Sequence, residues 1–525
     1  MLMADWFGHH QLAVPFRPMA ELLSAYRERD PDKLAIVDLD QAISIGFGEM
    51  DRVVTDIAAD LKRRGVAKGD KLVLLSDENL EKLLIWFGIW RIGAVVCPLN
   101  VEMNSEHVAA LSAMIGPKLV LIHRDLDADA FTLGVNAPIC RFGSFSKDNP
   151  DPSDDFFSQL TSADPASLPE RNTPEDLSCI FCTSGTTSKP KLVVYDHAAY
   201  WLSGLSTLDM LGLTEDDKTL EYRSFGWNSA QVLSLMPFLQ TGLTMHIAKR
   251  FSHSRFFEWI KQYGLTFSAG VPTVVNMLLN KPLGYTAEDI PTLRLMTCST
   301  APLSPEQWER FESTYGLTLL QLYGMSEAGW ICGNRHDRKR MGTVGPPAKH
   351  QEFMIVDREG NKCAPNVEGE VTVGGPQTAI GCLQPDGSID PFRGKRNKTG
   401  DLAVMDDDGF VRVTGRRKDL IIRGGMNISP LEIDEILLAH DNLLEAASVG
   451  VPDPIYGEEV VAFAIPKPNS GVTEKAILDY CETKLPLPKR PKKLFFVDRL
   501  PKNDRGKIMR DKLRDAWSER ARANA

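Results

Sequence analysis

The feature that most constrains the fold of this chain is a regular alternation of helix-like and strand-like segments near its start. Residues 47–64 carry apolar side chains at helical spacing, and a predicted strand follows at 71–75. A predicted helix over 80–92 and predicted strands at 94–97 and 119–122 continue the pattern. Strands that alternate with helices imply parallel sheets covered on both faces, so we predict an α/β fold.

The alternation returns later in the chain and then gives way to another pattern. Predicted helices over 254–263, 271–279 and 305–315 each precede a strand-like run. After about residue 350 the sequence changes to short strands between Gly- and Asp-rich turns, which is typical of antiparallel hairpins. A smaller unit of strands and helices begins near residue 418. For 525 residues, length alone predicts roughly three to four compact units, in agreement with this division.

Composition argues against some classes of partner. The 60 Lys and Arg residues are outnumbered by 70 Asp and Glu residues, and the formal net charge is −10. We therefore predict no nucleic-acid partner and no broad contact with an anionic membrane. The most apolar segment, 83–99, is short and is interrupted by Arg91 and Pro98, so no membrane insertion is predicted.

The cysteines point to a reducing compartment. The nine are scattered and odd in number, and most lie in apolar stretches. Cys179 and Cys182 have the spacing of a redox or zinc pair, but no second pair lies at zinc-ribbon distance. The segment between them is strand-like, which would turn the two sulfurs to opposite faces. Neither end resembles a secretion, lipidation or peroxisomal signal, so we expect a cytoplasmic protein.

A loop within FCTSGTTSKPKLVVYDH, residues 181–197, raises the first functional question. Residues 183–187 are five small residues in a row, and two lysines follow them. Small residues let the backbone approach a ligand closely, and N–H groups, hydroxyls and ammonium groups together suit a phosphate. The alternative is a solvated hairpin loop.

The sequence excludes a P-loop at this place. In that motif a second glycine stands five residues after the first, where this chain has Pro190 after Gly185. Leu192 follows Lys191 in place of the hydroxyl that binds Mg²⁺. Strand-like residues follow, whereas a P-loop opens a helix. The loop is therefore predicted to join strand to strand.

Four further motifs follow the loop in order. They are QLYGMSE at 321–327, KTGD at 398–401, the long stretch GRRKDLIIRGGMNISPLEI at 415–433, and LPKNDRGKIMR at 500–510. A lone Ser-Glu is more often a helix cap, a lone Thr-Gly-Asp a turn, and a lysine near a chain end solvent-exposed. The co-occurrence of all four with the hydroxyl-rich loop favours a shared function.

Together these motifs resemble the signature of the adenylate-forming superfamily, which comprises acyl-CoA synthetases, adenylation domains of peptide synthetases, and luciferases. The family pattern T-S-G-T-T-G-x-P-K-G is matched at 183–187, Pro190 and Lys191, whereas Ser188 and Leu192 replace glycines. The resemblance covers roughly residues 15–515.

This resemblance implies a fold and a division into domains. It implies an α/β protein whose large N-terminal domain, 1–417, has two mixed or parallel sheets flanked by helices and a small β-barrel-like subdomain. A small, mobile α+β C-terminal domain, 418–525, would carry the catalytic lysine.

The resemblance also assigns roles to individual residues. It implies catalytic roles for Lys507, Glu327 and Thr186, with Mg²⁺ held near Glu327 and Thr186. The hinge and CoA-tunnel positions are Lys418, Gly424 and Gly425. The implied ATP- and AMP-binding positions are Thr183, Ser184, Gly185, Thr186, Thr187, Lys191, Ser299, Thr300, Ala301, Pro302, Tyr323, Gly324, Met325, Ser326, Asp401, Arg416 and Lys507.

The acid pocket is the least specified part of the resemblance. Its implied lining is Phe225, Gly226, Trp227, Asn228, Gly270, Val271, Ala328 and Trp330. Gly226 stands where many relatives carry an aromatic residue or histidine, which predicts extra room. Two alternatives stay open for Trp227 and Trp330, contact with the acid or a place in the core. Arg223 and Arg335 either pair with a second carboxylate of the acid or lie at the surface.

The implied reaction joins a small-molecule carboxylic acid to a thiol at the expense of ATP. Carboxylate and ATP give an acyl-adenylate and pyrophosphate, and a thiol then displaces AMP. The lysine loop is closer to the acyl-CoA ligase form, G-K-I-x-R-x-x-L-R at 506–514, so CoA is the predicted acceptor. The alternatives are a stand-alone enzyme that loads a separate carrier protein, and a non-enzymatic nucleotide-binding module. The acid itself and a homodimeric state stay open.

Overall fold

The computed structural model describes residues 14–145, 156–168, 171–183, 191–503 and 507–523. Its strands, numbered in chain order, are β1 (Leu34–Asp38), β2 (Ile43–Gly46), β3 (Lys71–Leu75), β4 (Val95–Leu99), β5 (Leu119–His123), β6 (Ile139–Phe142), β7 (Leu177–Cys182), β8 (Leu192–Asp196), β9 (Lys218–Glu221), β10 (Thr244–Ile247), β11 (Phe267–Ser268), β12 (Leu295–Cys298), β13 (Thr318–Met325), β14 (Gly329–Gly333), β15 (Glu352–Val356), β16 (Gly369–Gly374), β17 (Gly381–Leu383), β18 (Ile389–Pro391), β19 (Asn397–Met405), β20 (Val411–Arg416), β21 (Ile421–Arg423), β22 (Met426–Ile428), β23 (Leu443–Asp453), β24 (Gly457–Pro466) and β25 (Lys493–Phe496).

The α-helices are numbered in the same way. They are α1 (Met19–Arg29), α2 (Phe47–Arg63), α3 (Leu80–Arg91), α4 (Ser105–Ile115), α5 (Ala128–Phe131), α6 (His197–Leu211), α7 (Asn228–Ala230), α8 (Met236–Thr241), α9 (Phe256–Tyr263), α10 (Pro272–Asn280), α11 (Pro305–Tyr315), α12 (Pro430–Leu438), α13 (Glu474–Lys484) and α14 (Arg510–Ala523). A π-helical turn, Gln231–Leu235, joins α7 to α8. Short 3₁₀ turns lie at Phe157–Gln159, Pro165–Ser167, Arg417–Asp419 and Leu487–Lys489.

Two eight-stranded sheets form the body of the protein. The first has the order β14-β13-β12-β11-β9-β10-β1-β2, and its strands are parallel except for the antiparallel pairs at both edges. The second has the order β18-β17-β8-β7-β4-β3-β5-β6, with a parallel half from β7 to β6 and an antiparallel half. The α/β fold and the mixed or parallel sheets predicted from the sequence are confirmed.

Local sequence explains where individual helices begin and end. Helix α11 begins with a capping box. The Ser304 side chain accepts from the N–H of Gln307, and the Gln307 side chain accepts from the N–H of Ser304. Pro305 occupies the first helical position, which proline favours. The helix ends at Gly316, whose φ of 68° is accessible to glycine without strain. These signals account for the agreement between the predicted range, 305–315, and the observed one.

The core lies where helix α3 is enclosed by other elements. Every residue of this helix is buried, and its sequence, LEKLLIWFGIWR, is apolar on nearly all sides. Gly88 allows close approach to α2, because a Cβ there would lie 2.2 Å from Cγ2 of Ile57. A helix that is hydrophobic all round belongs in an interior. In the part of the chain described, no helix is long and apolar enough to cross a membrane.

Two smaller sheets complete the fold. The subdomain predicted to be barrel-like is a four-stranded antiparallel sheet in the order β15-β16-β19-β20. The second small sheet has the path β22-β21-β24-β23, with β25 beside β24, and it packs with α12 and α13 around its own apolar core. The small C-terminal α+β unit is therefore confirmed. Ser429 Oγ donates to the carbonyl of Thr414 at 2.5 Å and links this unit to β20.

The cysteine predictions can also be compared with the fold. All nine cysteines are free thiols. Cys179 and Cys182 are both buried in β7 but belong to different apolar clusters, as opposite-facing strand positions should. Among the described residues, no group of three His, Cys, Asp or Glu side chains is arranged to hold a metal ion.

Candidate active site

The hydroxyl-rich loop joins two antiparallel strands, as predicted. The N–H of Thr183 donates to the carbonyl of Lys191 at 2.8 Å, and the N–H of Lys191 donates to Thr183 Oγ1 at 3.3 Å. These bonds close the base of the loop between β7 and β8, where a P-loop would open a helix. The predicted phosphate-contacting residues Ser184, Gly185, Thr186 and Thr187 lie outside the described residues.

Three predicted nucleotide-binding residues form one hydrogen-bonded cluster. Tyr323 Oη donates to Asp401 Oδ2 at 2.5 Å, and Arg416 Nε donates to Asp401 Oδ1 at 2.7 Å. Arg416 stands directly opposite Asp401 in the β19–β20 ladder, so the antiparallel register itself makes this ion pair. Burial and the neighbouring carboxylate raise the pKa of Tyr323, which keeps its hydroxyl protonated as a donor.

The turn between β13 and β14 brings the predicted metal-binding residue to the same region. Gly324 is required there, because a Cβ would lie 2.5 Å from the carbonyl oxygen of Gly329. Tyr195 Oη donates to the carbonyl of Ser326 at 3.0 Å and ties the turn to β8. Burial, and then the charge of Glu327, raise the pKa of Tyr195, which keeps its hydroxyl protonated as a donor.

The predicted ATP- and AMP-binding segment 299–302 contains a strained residue. Thr300 has a φ of 75°, a left-handed conformation that is costly for a β-branched side chain. Glycine would adopt this angle without strain. Ser299 is buried and its Oγ has no hydrogen-bond partner, whereas Ala301 and Pro302 lie nearer the surface.

A cavity of about 430 Å³ opens beside Thr300. Much of its wall consists of residues that directly follow strand ends in both large sheets: 76–78 after β3, 100–102 after β4, 222–224 after β9 and 249–251 after β10. In open α/β sheets, ligands bind outside the carboxyl ends of the strands. The position of the cavity is therefore that of a substrate site.

The predicted acid-pocket residues divide between the cavity and the core. Trp227 and Val271 line the cavity, and Phe225 and Asn228 are buried close to Trp227 in sequence. Ala328 and Trp330 do not line it; both are buried in apolar clusters. Trp330 Nε1 also donates to Thr207 Oγ1 at 2.9 Å, so this indole is satisfied inside the core. The pocket role of Ala328 and Trp330 stays a prediction, since neither residue lines this particular cavity.

At two glycines of the predicted pocket, the neighbouring main chain leaves too little space for a side chain. A Cβ on Gly270 would lie 2.3 Å from the carbonyl oxygen of Thr297. A Cβ on Gly226 would lie 3.0 Å from the backbone nitrogen of Asn100. The extra room expected at Gly226 does not exist, because the chain after β4 occupies it.

The two arginines considered as partners of a second carboxylate are already paired within the chain. Arg223 Nε and Nη2 donate to the two oxygens of Glu221 at 2.8 and 2.6 Å. Arg335 Nε donates to Asp209 Oδ2 at 3.1 Å. Arg223 is buried, so a surface position is wrong for it. The pairing partner Glu221 was missed from the sequence, where its position at the end of a predicted strand was the available signal.

The C-terminal unit carries the remaining predicted residues. Lys418 lies in the 3₁₀ turn after β20, and Gly424 and Gly425 have φ values of 56° and 82° in the turn between β21 and β22. Lys507 lies beside the antiparallel bridge between Lys502 and Ile508. Its N–H donates to Asn503 Oδ1 at 3.0 Å, and its carbonyl accepts from the N–H of Asn503 at 2.9 Å. The main chain around Lys507 is thereby fixed.

Comparison with family models decides the classification. The model described as AMP-binding enzyme matches residues 23–383, and the model of the AMP-binding enzyme C-terminal domain matches residues 432–507. The chain belongs to the AMP-binding enzyme family. Within it, this chain falls in the acyl-CoA ligase branch of the adenylate-forming superfamily.

The curated relatives of this AMP-binding enzyme are similar over most of their length. A probable CoA ligase CCL9 of Humulus lupulus is 30% identical, with 88% of this chain and 89% of the relative covered. Oxalate–CoA ligase of Arabidopsis thaliana is 30% identical over 85% and 88%, and 2-succinylbenzoate–CoA ligase of Bacillus cereus is 30% identical over 93% and 96%.

Solved structures agree with these relatives. ATP-bound MatB from Rhodopseudomonas palustris has a TM-score of 0.85 at 27% identity, covering 95% of this chain and 99% of that one. O-succinylbenzoate coenzyme A synthetase from Bacillus subtilis, in complex with ATP and magnesium ion, has a TM-score of 0.81 at 25% identity over 95% and 99%. The AMP-binding enzyme described here is an AMP-forming acid–CoA ligase that works through an acyl-adenylate.

Proposed function

We propose that the Tyr323–Asp401–Arg416 cluster binds the ribose of ATP and that the cavity beside Thr300 binds the acid. The cluster is the observation that carries this assignment, because it joins residues of three separate motifs in one hydrogen-bonded group. The Asp401 carboxylate accepts one hydrogen bond on each oxygen, from Tyr323 and from Arg416, and still has lone pairs that can accept from two ribose hydroxyls. Arg416 remains charged beside it, because Asp401 offsets the effect of burial and raises its pKa.

Lys507 supplies fixed positive charge in the adenylation step. Attack of the acid on ATP spreads negative charge over the α-phosphate, and a preorganised cation stabilises that charge. Removing one such donor typically costs about 10²–10³ in rate. The loop closed by Thr183 and Lys191 would hold the departing pyrophosphate, with Ser184 to Thr187 as its donors.

The residues present also fit a magnesium ion bound together with phosphates. Mg²⁺ usually takes one or two protein carboxylates and completes its shell with water and substrate phosphate. Glu327 provides one half-buried carboxylate at the turn after β13, and Thr186 would add a hydroxyl. When bound, the ion would neutralise charge on the phosphates.

The proposed domain boundary lies between residues 417 and 418. A C-terminal domain that turns at Lys418 would withdraw Lys507 after adenylation and bring Gly424 and Gly425 to the CoA tunnel. The positive φ values of both glycines are compatible with such a change of backbone direction. The nine free thiols agree with the proposed cytoplasmic location.

The first test separates the two half-reactions. The protein is incubated with Mg²⁺, ATP, CoA and a pooled library of carboxylic acids, and nucleotides and thioesters are resolved by mass. We expect AMP together with a new acyl-CoA, whose mass identifies the acid. ADP as the product would refute adenylation, and AMP without a thioester would shift the acceptor to a carrier protein.

A variant then tests the role of Lys507. Lys507→Ala is expected to lose adenylation by at least about 100-fold while still converting supplied acyl-adenylate to acyl-CoA. Lys512→Ala, which changes a lysine of the following helix, is the matched control and should retain both steps. Equal loss of both half-reactions in Lys507→Ala would contradict the domain movement.

A further inference from the structure

The loop that carries Lys507 is closed by contacts between its own two arms. This lysine loop is defined as residues 500–510, of which all but 504–506 are described. Lys502 and Ile508 form an antiparallel bridge, and Asn503 holds Lys507 by the two hydrogen bonds given above. These contacts join the loop to itself, so they set its shape but not its place on the C-terminal unit.

The first arm of the lysine loop is only weakly joined to the rest of the unit. Leu500 and Ile508 pack in the apolar cluster of β23 and β24, but hydrophobic contact has no preferred direction. Lys502 Nζ pairs with Glu445 Oε2 on β23 at 2.7 Å, and the two side chains are 29% and 34% exposed. An ion pair that water reaches contributes little. The orientation of the loop therefore depends on its second arm.

Arg510 makes the buried contact of the second arm. Its Nη2 donates to Asp434 Oδ2 on α12 at 2.6 Å, and its Nη1 donates to the carbonyl of Ser448 on β23 at 2.8 Å. The side chains of the arginine and the aspartate are 15% and 6% exposed. Charge-assisted bonds from a planar guanidinium set direction as well as distance. Arg510 thus holds the end of the loop at one place between α12 and β23.

The site that receives Arg510 is itself fixed. Asp434 Oδ1 accepts from the N–H and from the Oγ of Ser448, at 2.6 and 2.7 Å, so α12 and β23 are joined independently of the arginine. Helix α12 follows the proposed hinge at Lys418 and belongs to the small unit that would turn there. The lysine loop is therefore fastened to the group of elements that would carry it during the domain movement.

Helix formation does not explain an arginine at this position. Arg510 is the first residue of α14, where the helix dipole disfavours a positive charge. It stands three residues after Lys507, so the two Cα atoms lie within about 10 Å of each other. Arg514, one turn later, donates through Nε to the carbonyl of Gly450 on the same strand at 3.3 Å. Arg514 is therefore a matched residue further from the lysine.

We propose that Arg510 is a positioning residue for adenylation: by binding Asp434 and Ser448 it sets the place from which Lys507 reaches the phosphates of ATP. The inference rests on the proposed function, because it takes Lys507 as the cation of the adenylation step. Without Arg510 the loop stays closed but is free to shift as a whole. A misplacement of about 1 Å can cost about 100-fold in rate.

A double-mutant cycle tests whether Arg510 acts through Lys507. Release of pyrophosphate from ATP with the pooled acids gives the apparent KM for ATP and a kcat, which is counted per folded protein from the amplitude of the melting transition. Arg510→Met should lower kcat at least about 100-fold and leave the KM for ATP within about threefold, because the proposed ATP site lies on the large domain. In the Lys507→Ala background the same change should cost less than about threefold, since no lysine is left to misplace.

Three further variants complete the cycle. Arg510→Lys keeps a charge for Asp434 and should recover at least about tenfold of the lost kcat. Arg514→Met, the matched control, should keep kcat within about threefold. Arg510→Met combined with Asp434→Asn leaves no unpaired buried charge, so it replaces the single variant if that one does not fold, and it should show the same loss of kcat.

The outcomes separate the inference from the proposed function. If Lys507→Ala keeps kcat within about tenfold of the native value, the proposed function is refuted, and this inference with it. If Lys507→Ala is impaired but Arg510→Met is not, only the inference is refuted. The same holds if Arg510→Met costs as much in the Lys507→Ala background as in the native protein, because the arginine would then act on the fold and not on the lysine.

Discussion

A buried ion pair at the end of β8 gives the sharpest test of the energetics. Arg393 donates through Nη1 and Nη2 to the two oxygens of Asp196 at 2.5 and 2.8 Å. Nε and Nη2 also donate to the carbonyl of Thr378, at 3.1 and 2.7 Å. The Asp196 side chain is 5% exposed and caps helix α6 through the N–H of Ala199. The pair thus fastens the end of β8, the strand that leaves the loop, to the segment after β18, and Arg393 also binds the segment before β17.

Arg393→Met removes the charge but keeps an unbranched apolar side chain. The variant leaves the Asp196 carboxylate buried, with its hydrogen bond to the N–H of Ala199 but without the arginine. Removing one partner of a buried ion pair should lower the free energy of unfolding by about 3–5 kcal/mol. At about 2 °C per kcal/mol, the lower end for large domains, the melting temperature should fall by roughly 6–10 °C. Because β8 borders the loop, the KM for ATP should rise as well.

The control changes an arginine with similar bonds at the surface. Arg340 pairs with Asp406 and Asp408, but its side chain is 43% exposed. Arg340→Met should lower the melting temperature far less, because exposed ion pairs contribute little to stability. Asp196→Asn combined with Arg393→Met should recover part of the loss, because asparagine still caps the helix and carries no charge. If Arg393→Met lowers the melting temperature no more than Arg340→Met, the assigned role of the buried pair is refuted.

Two further predictions concern strain and pH. Thr300→Gly relieves about 1–2 kcal/mol of strain from the left-handed backbone conformation and adds about 0.5–1 kcal/mol to the entropy cost of folding. A slightly higher melting temperature is therefore expected. A lower melting temperature would mean that the threonine side chain itself stabilises the fold. Burial, and then the Glu306 carboxylate, raise the pKa of Glu435 to about 7 against the opposing charge of Arg412. Since the folded pKa lies above the ordinary value, stability should decline as pH rises from about 4.5 to 7 and then level off. Glu435→Gln should flatten that decline in melting curves between pH 5 and 8, and an unchanged slope would contradict it.

Sequence predicted the elements of this fold better than the walls of its pocket. Strand 71–75 and helix 305–315 were predicted to the residue, because alternation, caps and a terminal glycine are local signals. The cluster around Asp401 was predicted in its members, because each belongs to a motif. The antiparallel register that pairs Asp401 with Arg416 is visible only in the structure.

The errors arose where distant segments meet. Nothing near Gly226 in the sequence indicates that Asn100, which follows a strand of the other sheet, fills the space beside it. Trp227 and Trp330 are the same residue type in similar surroundings, and only the position of Thr207 shows that the second belongs to the core. Glu78 carries no motif, so its place in the wall of the cavity could not be predicted from sequence alone.

The pairing of the first strands has a consequence for how the protein is made. β1 and β2 are residues 34–46, yet β1 lies beside β10, which comprises Thr244–Ile247, in the first sheet. While the ribosome adds the residues between them, at about 5–20 per second, this early hairpin waits on the order of 10–40 s for its neighbour. Its apolar side chains stay without their sheet for that time, so a chaperone that shields nascent chains would find its binding site at the beginning of this polypeptide.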